Sequence, residues 1–535
     1  ITLENRFGVN KMELISLKYA IFVIVLLVLY YCFPKKYRWY VLLAGSMAYY
    51  VIICKWYVLF IIFTICTTYG STIWIDKLLK EQNAIVKSHK EDWDRQTRKE
   101  YKEKGRKKRV AVMLFALLCN FGILAFLKYI PYAGELGLLL PLGISFYTFQ
   151  SMGYVMDVYR EIVEPEKNFL KVALFVSFFP QIIQGPIAIY DKLAGQLYEG
   201  HSLRLENLQK GALLVLWGVM KKLVIADRAV NIINFVMDKP MDFSGTYVFF
   251  AAVVYALQLY ADFSGGIDIV RGIAEMFGIT MSTNFNHPYF SRSLTEYWHR
   301  WHMTLGDWCR NYIFYPLSIS KRFLNFGKWL KPRFGAHISK VLPGCIASVI
   351  TFIVIGVWHG ANMKYLYFGL WNGIVIMLAE LFAPVNKKVA GGFFKLTGLR
   401  EKGIFATIVS VLWTFMLILV GYYFDIAANA STAFHMLFKS VTDFHISELG
   451  INNIILNLGA CGLDKYDILL LIICTLLWFF ISFVEENKKL DMRDFILSRK
   501  LPLRWAIIYL GIFIVIIFGY YGPGVNPADF VYMQF

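Results

Sequence analysis

The sequence predicts an all-α polytopic membrane protein, and three features lead there. Of its 535 residues, 58% are hydrophobic and only 17% are charged, whereas a soluble domain carries about a quarter charged side chains. Mean hydropathy is +0.52. The apolar surplus falls in many separate blocks of about 15 to 25 residues, the length that crosses a bilayer as a helix.

The first block, 14–33, is too long for a signal-peptide core and ends in Cys32-Phe33-Pro34-Lys35-Lys36 without a small-residue cleavage site. It reads as a retained span. The chain starts at Ile1, with Met12 just ahead of this block, and residues 1–11 are expected to be a remnant that carries no function. Lys35, Lys36 and Arg38 follow the first block, Lys55 separates the second from the third, and 76–109 carries 13 basic and 7 acidic residues. The positive-inside rule then places the amino terminus outside and the basic run in the cytoplasm after three spans. That run reads as a solvated, partly helical loop.

Further spans are expected over 110–127, 136–156, 170–189, 211–225, 246–260, 341–358, 365–381, 405–424, 468–484 and 505–521. With the first three they make roughly 11–13 crossings. Inside 170–189, Pro180 and Gly185-Pro186 interrupt a helix and free carbonyls that lipid cannot solvate, so this block is expected to be re-entrant or buried in protein. No internal repeat is evident, which weakens the case for an inverted-repeat transporter.

The net charge of +18 arises from 55 Lys and Arg against 37 Asp and Glu. In a multi-span chain, cationic loops on anionic headgroups account for such an excess, and no nucleic-acid partner is implied. Cys32, Cys54, Cys66, Cys119, Cys345 and Cys474 lie in or beside apolar blocks without a CxxC pair, so neither a disulfide framework nor a metal site is expected. Cys309 alone sits beside a polar motif.

Of nine histidines, His89, His201, His337, His435 and His445 lie in polar connections and His287 precedes Pro288 as a turn residue. His359 differs, because it ends the apolar run 349–358, in Val357-Trp358-His359-Gly360. A titratable group at membrane depth faces protein or water and marks a candidate site; the other reading is a structural histidine bonded to a neighbouring carbonyl.

The second candidate lies in Glu296-Tyr297-Trp298-His299-Arg300-Trp301-His302. At about 100° per residue, Leu294, Tyr297, Trp298, Trp301, Leu305, Trp308 and Tyr312 form one stripe of a helix through 294–312. His302 falls at the stripe's edge and is expected to be buried, whereas His299 points to headgroups or water. An interfacial helix with tryptophan anchors and incidental histidines is the alternative. There is no HExxH, GxSxG, P-loop or well-placed GxGxxG, so a metalloprotease, serine hydrolase, NTPase or dinucleotide enzyme is unsupported.

At these residues the sequence resembles the membrane-bound O-acyltransferase (MBOAT) family, and within it the bacterial AlgI-type branch of polysaccharide O-acetyltransferases. The resemblance runs over about 110–425. It is carried by Pro141-Leu142-Gly143-Ile144-Ser145-Phe146-Tyr147-Thr148-Phe149-Gln150, Asp157-Val158-Tyr159-Arg160, Phe179-Pro180-Gln181 with Gly185-Pro186-Ile187, and Asp262-Phe263-Ser264-Gly265 with Asp268. Asn284-Phe285-Asn286, Pro288-Tyr289, Arg300-Trp301-His302 and Trp358-His359-Gly360 follow, and the ending Phe530-Val531-Tyr532-Met533-Gln534-Phe535 is also similar. Gln184 stands where a small residue is common, His299 where Arg or another polar residue is expected, and Asn311 where Asp is frequent.

The resemblance implies an MBOAT-type helical bundle with re-entrant and interfacial helices: N-terminal spans and basic loop over 1–109, catalytic core over 110–425, C-terminal spans over 426–535. It implies that His359 is the catalytic histidine and His302 the second functional polar position. Arg300, Trp301, Trp358, Asp262, Ser264 and Asn284 are the expected substrate-binding positions, with no metal and no bound cofactor. The implied reaction moves acetyl from cytoplasmic acetyl-CoA toward an extracytoplasmic polysaccharide, with an SGNH-type partner completing transfer at a bacterial cell membrane. The DltB-type relative, using a D-alanyl carrier protein for teichoic acid, is the runner-up, and a polysaccharide or lipid transporter is the alternative from another class. An unperturbed imidazole, with a pKa of about 6.5, suits removal of a hydroxyl proton near neutral pH. His302 is left either orienting the acceptor or polarising the thioester carbonyl.

Overall fold

The computed structural model describes residues 12–138, 140–398, 400, 403–450, 461–522 and 530, and every regular element among them is helical. The expectations for residues 1–11 and for the ending 531–535 lie outside the described residues. Seven described helices are long and apolar enough to cross a membrane, or eight if the bent pair Met363–Leu381 and Ala383–Thr397 is one span.

That is fewer than the roughly 11–13 expected from apolar block length alone, and the elements show why. Lys35–Ser88 counts once but holds two of the blocks, Arg38–Cys54 and Val58–Ser88, joined by a tight turn at Lys55–Tyr57. Leu17–Cys32 and Ile144–Tyr159 are each 16 residues long. Leu205–Met220 gives way to a wider π turn over Lys221–Ala226.

Packing divides the chain into two compact units, Ile1–Val215 with Ile269–Ser282, and Leu216–Asp268 with Thr283–Phe535. In the first, Val58–Ser88 packs on Arg95–Tyr129 and on Ile144–Tyr159. Asp94 caps Arg95–Tyr129, accepting from Thr97 N at 2.9 Å, which satisfies an otherwise orphaned N–H. The basic run is therefore mostly helix, an extension of two spans rather than a loop. It is not wholly solvated either, since Arg109 is buried and donates from Nη1 to Gln82 Oε1 at 3.2 Å.

Ile144–Tyr159 is buried on all sides through Val158. It begins at Gly143, where φ is 71° and an added Cβ would meet Ile182 O at 2.3 Å. Left-handed backbone and close approach both demand glycine there. The block 170–189 is broken as expected: Phe169–Ser177 stops at Phe178, Phe179–Gln184 restarts with Pro180 in its first turn, and residues 172–187 are all buried. Proline costs nothing at that position, because the first turn has no internal partner for its missing N–H.

In the second unit Lys321–His359 packs along Met363–Leu381. A Cβ on Gly356 would meet Tyr365 O at 2.2 Å, and one on Gly369 would meet Phe352 O at 2.3 Å. Only small residues let two backbones approach so closely. The π turn carries a buried ionic cluster. Lys221 Nζ contacts Asp268 at 2.6 Å and Ser264 Oγ at 2.8 Å, and Lys222 Nζ contacts Asp262 at 2.6 Å and Asp227 at 2.8 Å. Charges removed from water this far are tolerated only when paired and hydrogen-bonded.

Candidate active site

The helix expected through 294–312 is interrupted at the residues of interest. Leu294–Arg300 starts at Ser293, whose Oγ accepts from Glu296 N at 3.1 Å. Trp301 is then extended, His302 takes a left-handed conformation at φ 44°, ψ 52°, and Met303–Cys309 begins a new helix. Such a conformation costs a non-glycine residue about 1 kcal/mol or more, so other contacts must hold it. Asn284 provides them. Its backbone O accepts from Met303 N at 2.9 Å, and its Oδ1 accepts from Thr304 N at 3.1 Å and Thr304 Oγ1 at 2.9 Å.

His302 Nδ1 lies 3.2 Å from the same Oδ1. The Thr304 backbone N–H can only donate, so the Asn284 atom facing it is oxygen, and the imidazole nitrogen facing that oxygen carries the proton. The His302 lone pair is therefore on Nε2, which is buried and makes no hydrogen bond among the described residues. Burial pushes the His302 imidazole down to about 3, which keeps it neutral at ordinary pH. The expected contrast with His299 holds, His302 being 4% exposed and His299 open. Its cause is the left-handed turn rather than helical phase.

His359 is the last residue of Lys321–His359 and is partly exposed. The chain turns at once into Met363–Leu381, capped by Asn362 accepting from Lys364 N at 3.1 Å. Trp358 joins the two histidines, its ring centroid lying 5.0 Å from His359 and 6.3 Å from His302. Phe263 stands edge-on to His302 at 4.9 Å, while Tyr365 and Phe368 lie against His359 at 5.9 Å and 5.5 Å. Two imidazoles in one aromatic setting offer a candidate proton acceptor at His359 and a buried, neutral hydrogen-bond acceptor at His302 Nε2.

The structure thus brings His302, Trp358, His359 and Asn284 together. Trp301 is buried against Tyr297, Phe285 and Tyr289, and the Tyr297 and Tyr289 hydroxyls meet Tyr422 OH at 2.8 Å and 3.1 Å. Arg300 Nη2 is engaged by Glu296 at 2.7 Å and Glu486 at 3.0 Å. Asp262 and Ser264 belong to the lysine cluster, and the intervening Phe263 is the residue that touches His302. Burial pushes the Cys309 thiol up to about 12, which leaves no thiolate for nucleophilic work. Sequence reasoning gave no role to Thr304 and Phe368, for which no local signal exists, nor to Phe263, although it lies within the quoted Asp262-Phe263-Ser264-Gly265. It also missed Lys221 and Lys222, whose place inside the apolar block 211–225 was the available sign.

Residues 165–331 match the profile described as MBOAT, membrane-bound O-acyltransferase family. That stretch includes Asp262, Asn284 and His302 and stops short of Trp358 and His359. The chain is similar to the probable alginate O-acetylase AlgI of Pseudomonas syringae pv. tomato, 30% identical over 315 residues that cover 58% of this chain and 54% of the relative. It is 30% identical over 314 residues to the peptidoglycan O-acetyltransferase of Helicobacter pylori, covering 52% and 56%. To the teichoic acid D-alanyltransferase of Bacillus subtilis it is 26% identical over 288 residues, covering 53% and 67%. The chain spans a little over half the length of the two acetyl-transferring relatives.

Proposed function

We propose that this chain, which carries a membrane-bound O-acyltransferase domain over residues 165–331, is an acyltransferase (EC 2.3.1.-) that takes acetyl from cytoplasmic acetyl-CoA and moves it across the membrane for O-acetylation of a cell-surface or extracellular polysaccharide. The observation that carries the reading is the pairing of His302 and His359 on one indole, Trp358. In this reading His359 removes the proton of the acceptor hydroxyl. The oxygen attacks the thioester carbonyl, the C–O bond forms, the C–S bond breaks, and the proton passes from His359 to the departing thiolate. His302 Nε2 carries a lone pair and no proton, which favours orienting a second hydroxyl of the acceptor over donating to the thioester oxygen.

Coenzyme phosphates do not cross hydrocarbon, so the donor approaches from the cytoplasmic side. An extracytoplasmic SGNH-type partner completes the transfer, and the protein is a multi-pass component of the bacterial cell membrane with its amino terminus outside. The D-alanyl alternative draws support from the Bacillus subtilis relative, and the acetyl reading from the higher identity to AlgI and to the peptidoglycan O-acetyltransferase.

Purified protein offered labelled acetyl-CoA and, separately, a labelled D-alanyl carrier protein is expected to consume the acetyl thioester. His359→Ala should lower that rate by about 100- to 10,000-fold, the usual loss on removing a general base, with membrane insertion unchanged. Full activity in the variant removes the assignment, and consumption of the carrier thioester alone moves the function to D-alanyl transfer.

A further inference from the structure

Between Lys340 and Glu380 the sequence holds a single Lys, Arg, Asp or Glu, which is Lys364. A charge inside so apolar a stretch asks for a reason, and the proposed mechanism does not supply one. Lys364 sits in the first turn of Met363–Leu381, just after the turn that follows His359, and that helix packs against Ile404–Ile426. Its Nζ donates to Asp425 O at 2.8 Å and to Ala427 O at 2.7 Å. Asn362 Nδ2 donates to Ala428 O at 3.2 Å.

A cation in the first turn opposes the dipole of its own helix. Lys364 is therefore out of place for Met363–Leu381 and in place for the carbonyl end of Ile404–Ile426, whose last carbonyls have no partner within their own helix. That end is itself fixed, because Asp425 Oδ2 accepts from Tyr255 OH at 2.7 Å. The same ammonium stands 4.8 Å from the centroid of the Tyr365 ring. Tyr365 in turn lies nearly parallel to the His359 imidazole, 5.9 Å away and inclined by 21°. A Cβ on Gly360 would meet Tyr365 Cε2 at 2.6 Å, so the tyrosine ring is pressed on the turn that bears His359.

We infer that Lys364 is a positioning residue for His359: its ammonium clamps the His359 turn to the carbonyl end of Ile404–Ile426 and holds Tyr365 against the imidazole. That His359 acts as the base rests on the acyltransferase reading, whereas the clamp rests on these contacts alone. A lysine in this role touches no substrate, so its loss lowers kcat and spares KM.

Lys364→Met keeps the apolar stem and removes the ammonium. Turnover of the thioester that the wild-type protein consumes, measured on full-length protein in detergent, should fall about 10- to 100-fold in kcat, the scale for losing an orienting partner, with KM within about twofold. Lys364→Arg, which keeps a charged donor, should recover part of the loss. A second readout needs no catalysis: the rate at which diethyl pyrocarbonate modifies His359, followed by mass spectrometry of its peptide, should rise in Lys364→Met and stay near wild type in Lys364→Arg. Lys364→Gln serves as a second neutral variant, and all are checked for a monodisperse, cooperatively melting protein.

Wild-type kcat in both neutral variants overturns the positioning role even where the melting temperature falls, and leaves Lys364 a plain helix cap. A raised KM at unchanged kcat overturns it as well and makes Lys364 a substrate contact. Unchanged modification of His359 overturns the clamp. Full transfer by His359→Ala, with His359 modification still altered in Lys364→Met, would sink the catalytic reading of His359 and keep the clamp; an inactive His359→Ala beside a Lys364→Met that is indifferent in both readouts would do the reverse.

Discussion

At His302 one asparagine and one left-handed turn decide what an imidazole can do. Asn284 Oδ1 takes the Thr304 N–H and hydroxyl and faces His302 Nδ1, so it both starts a helix and selects a tautomer. Asn284→Ala is expected to lower kcat by about 10- to 100-fold, the usual scale for losing an orienting partner. Asn284→Asp, which keeps the acceptor, should recover part of that loss in steady-state kinetics, and equal kcat in the two variants would refute the positioning role. A pH prediction follows from the same residue. Burial holds His302 at about 3, below the ordinary histidine value of about 6.5, so the unfolded chain binds more protons than the native one between those limits. The stability that comes with a neutral His302 is complete above the upper limit and drains as the pH falls toward the lower one. Melting temperatures in detergent should drop over that interval, less steeply in His302→Gln; parallel curves would exclude the effect.

Among the elements, the informative ones are those that break. Hydrophobic periodicity reads 294–312 as one helix, because the stripe from Leu294 to Tyr312 has helical phase throughout. The break at Trp301 and His302 is imposed by Asn284, far back in the chain, and no local pattern records it. The interruption in 170–189 was legible, since Pro180 and Gly185-Pro186 act on their own backbone. Close packing of Lys321–His359 on Met363–Leu381 places Trp358 and His359, and it depends on Gly356 and Gly369. Gly356→Val should destabilise the protein by about 1–3 kcal/mol through overpacking and reduce acyl transfer with it. Gly391→Ala, where an added Cβ meets nothing within 4 Å, should stay within about 0.5 kcal/mol of wild type or gain slightly. Melting curves of the two variants make the comparison, and an unperturbed Gly356→Val would show that the close approach is dispensable.

On the scale of the whole molecule, topology is set by the asymmetry of basic residues. Single-cysteine variants in a cysteine-free background should react with an impermeant maleimide from the cytoplasmic side at Ser88, which is exposed beside the basic run, and labelling only from the outside would invert the orientation proposed. Class, apolar blocks and motif histidines were legible in the sequence, because hydropathy and short motifs are properties of neighbouring residues. The number of continuous spanning helices was not, since block length does not say whether a helix continues, bends or ends in a π turn. The sequence by itself determined that this chain lives in a bilayer and carries histidines at Trp358-His359 and Trp301-His302. Only the tertiary structure decided that one indole joins them, that His302 turns its lone pair inward, and that Asp262 and Ser264 serve buried lysines. Hydrogen bonds are directional and their partners lie far apart along the chain, so these assignments come into being only when the backbone closes on itself.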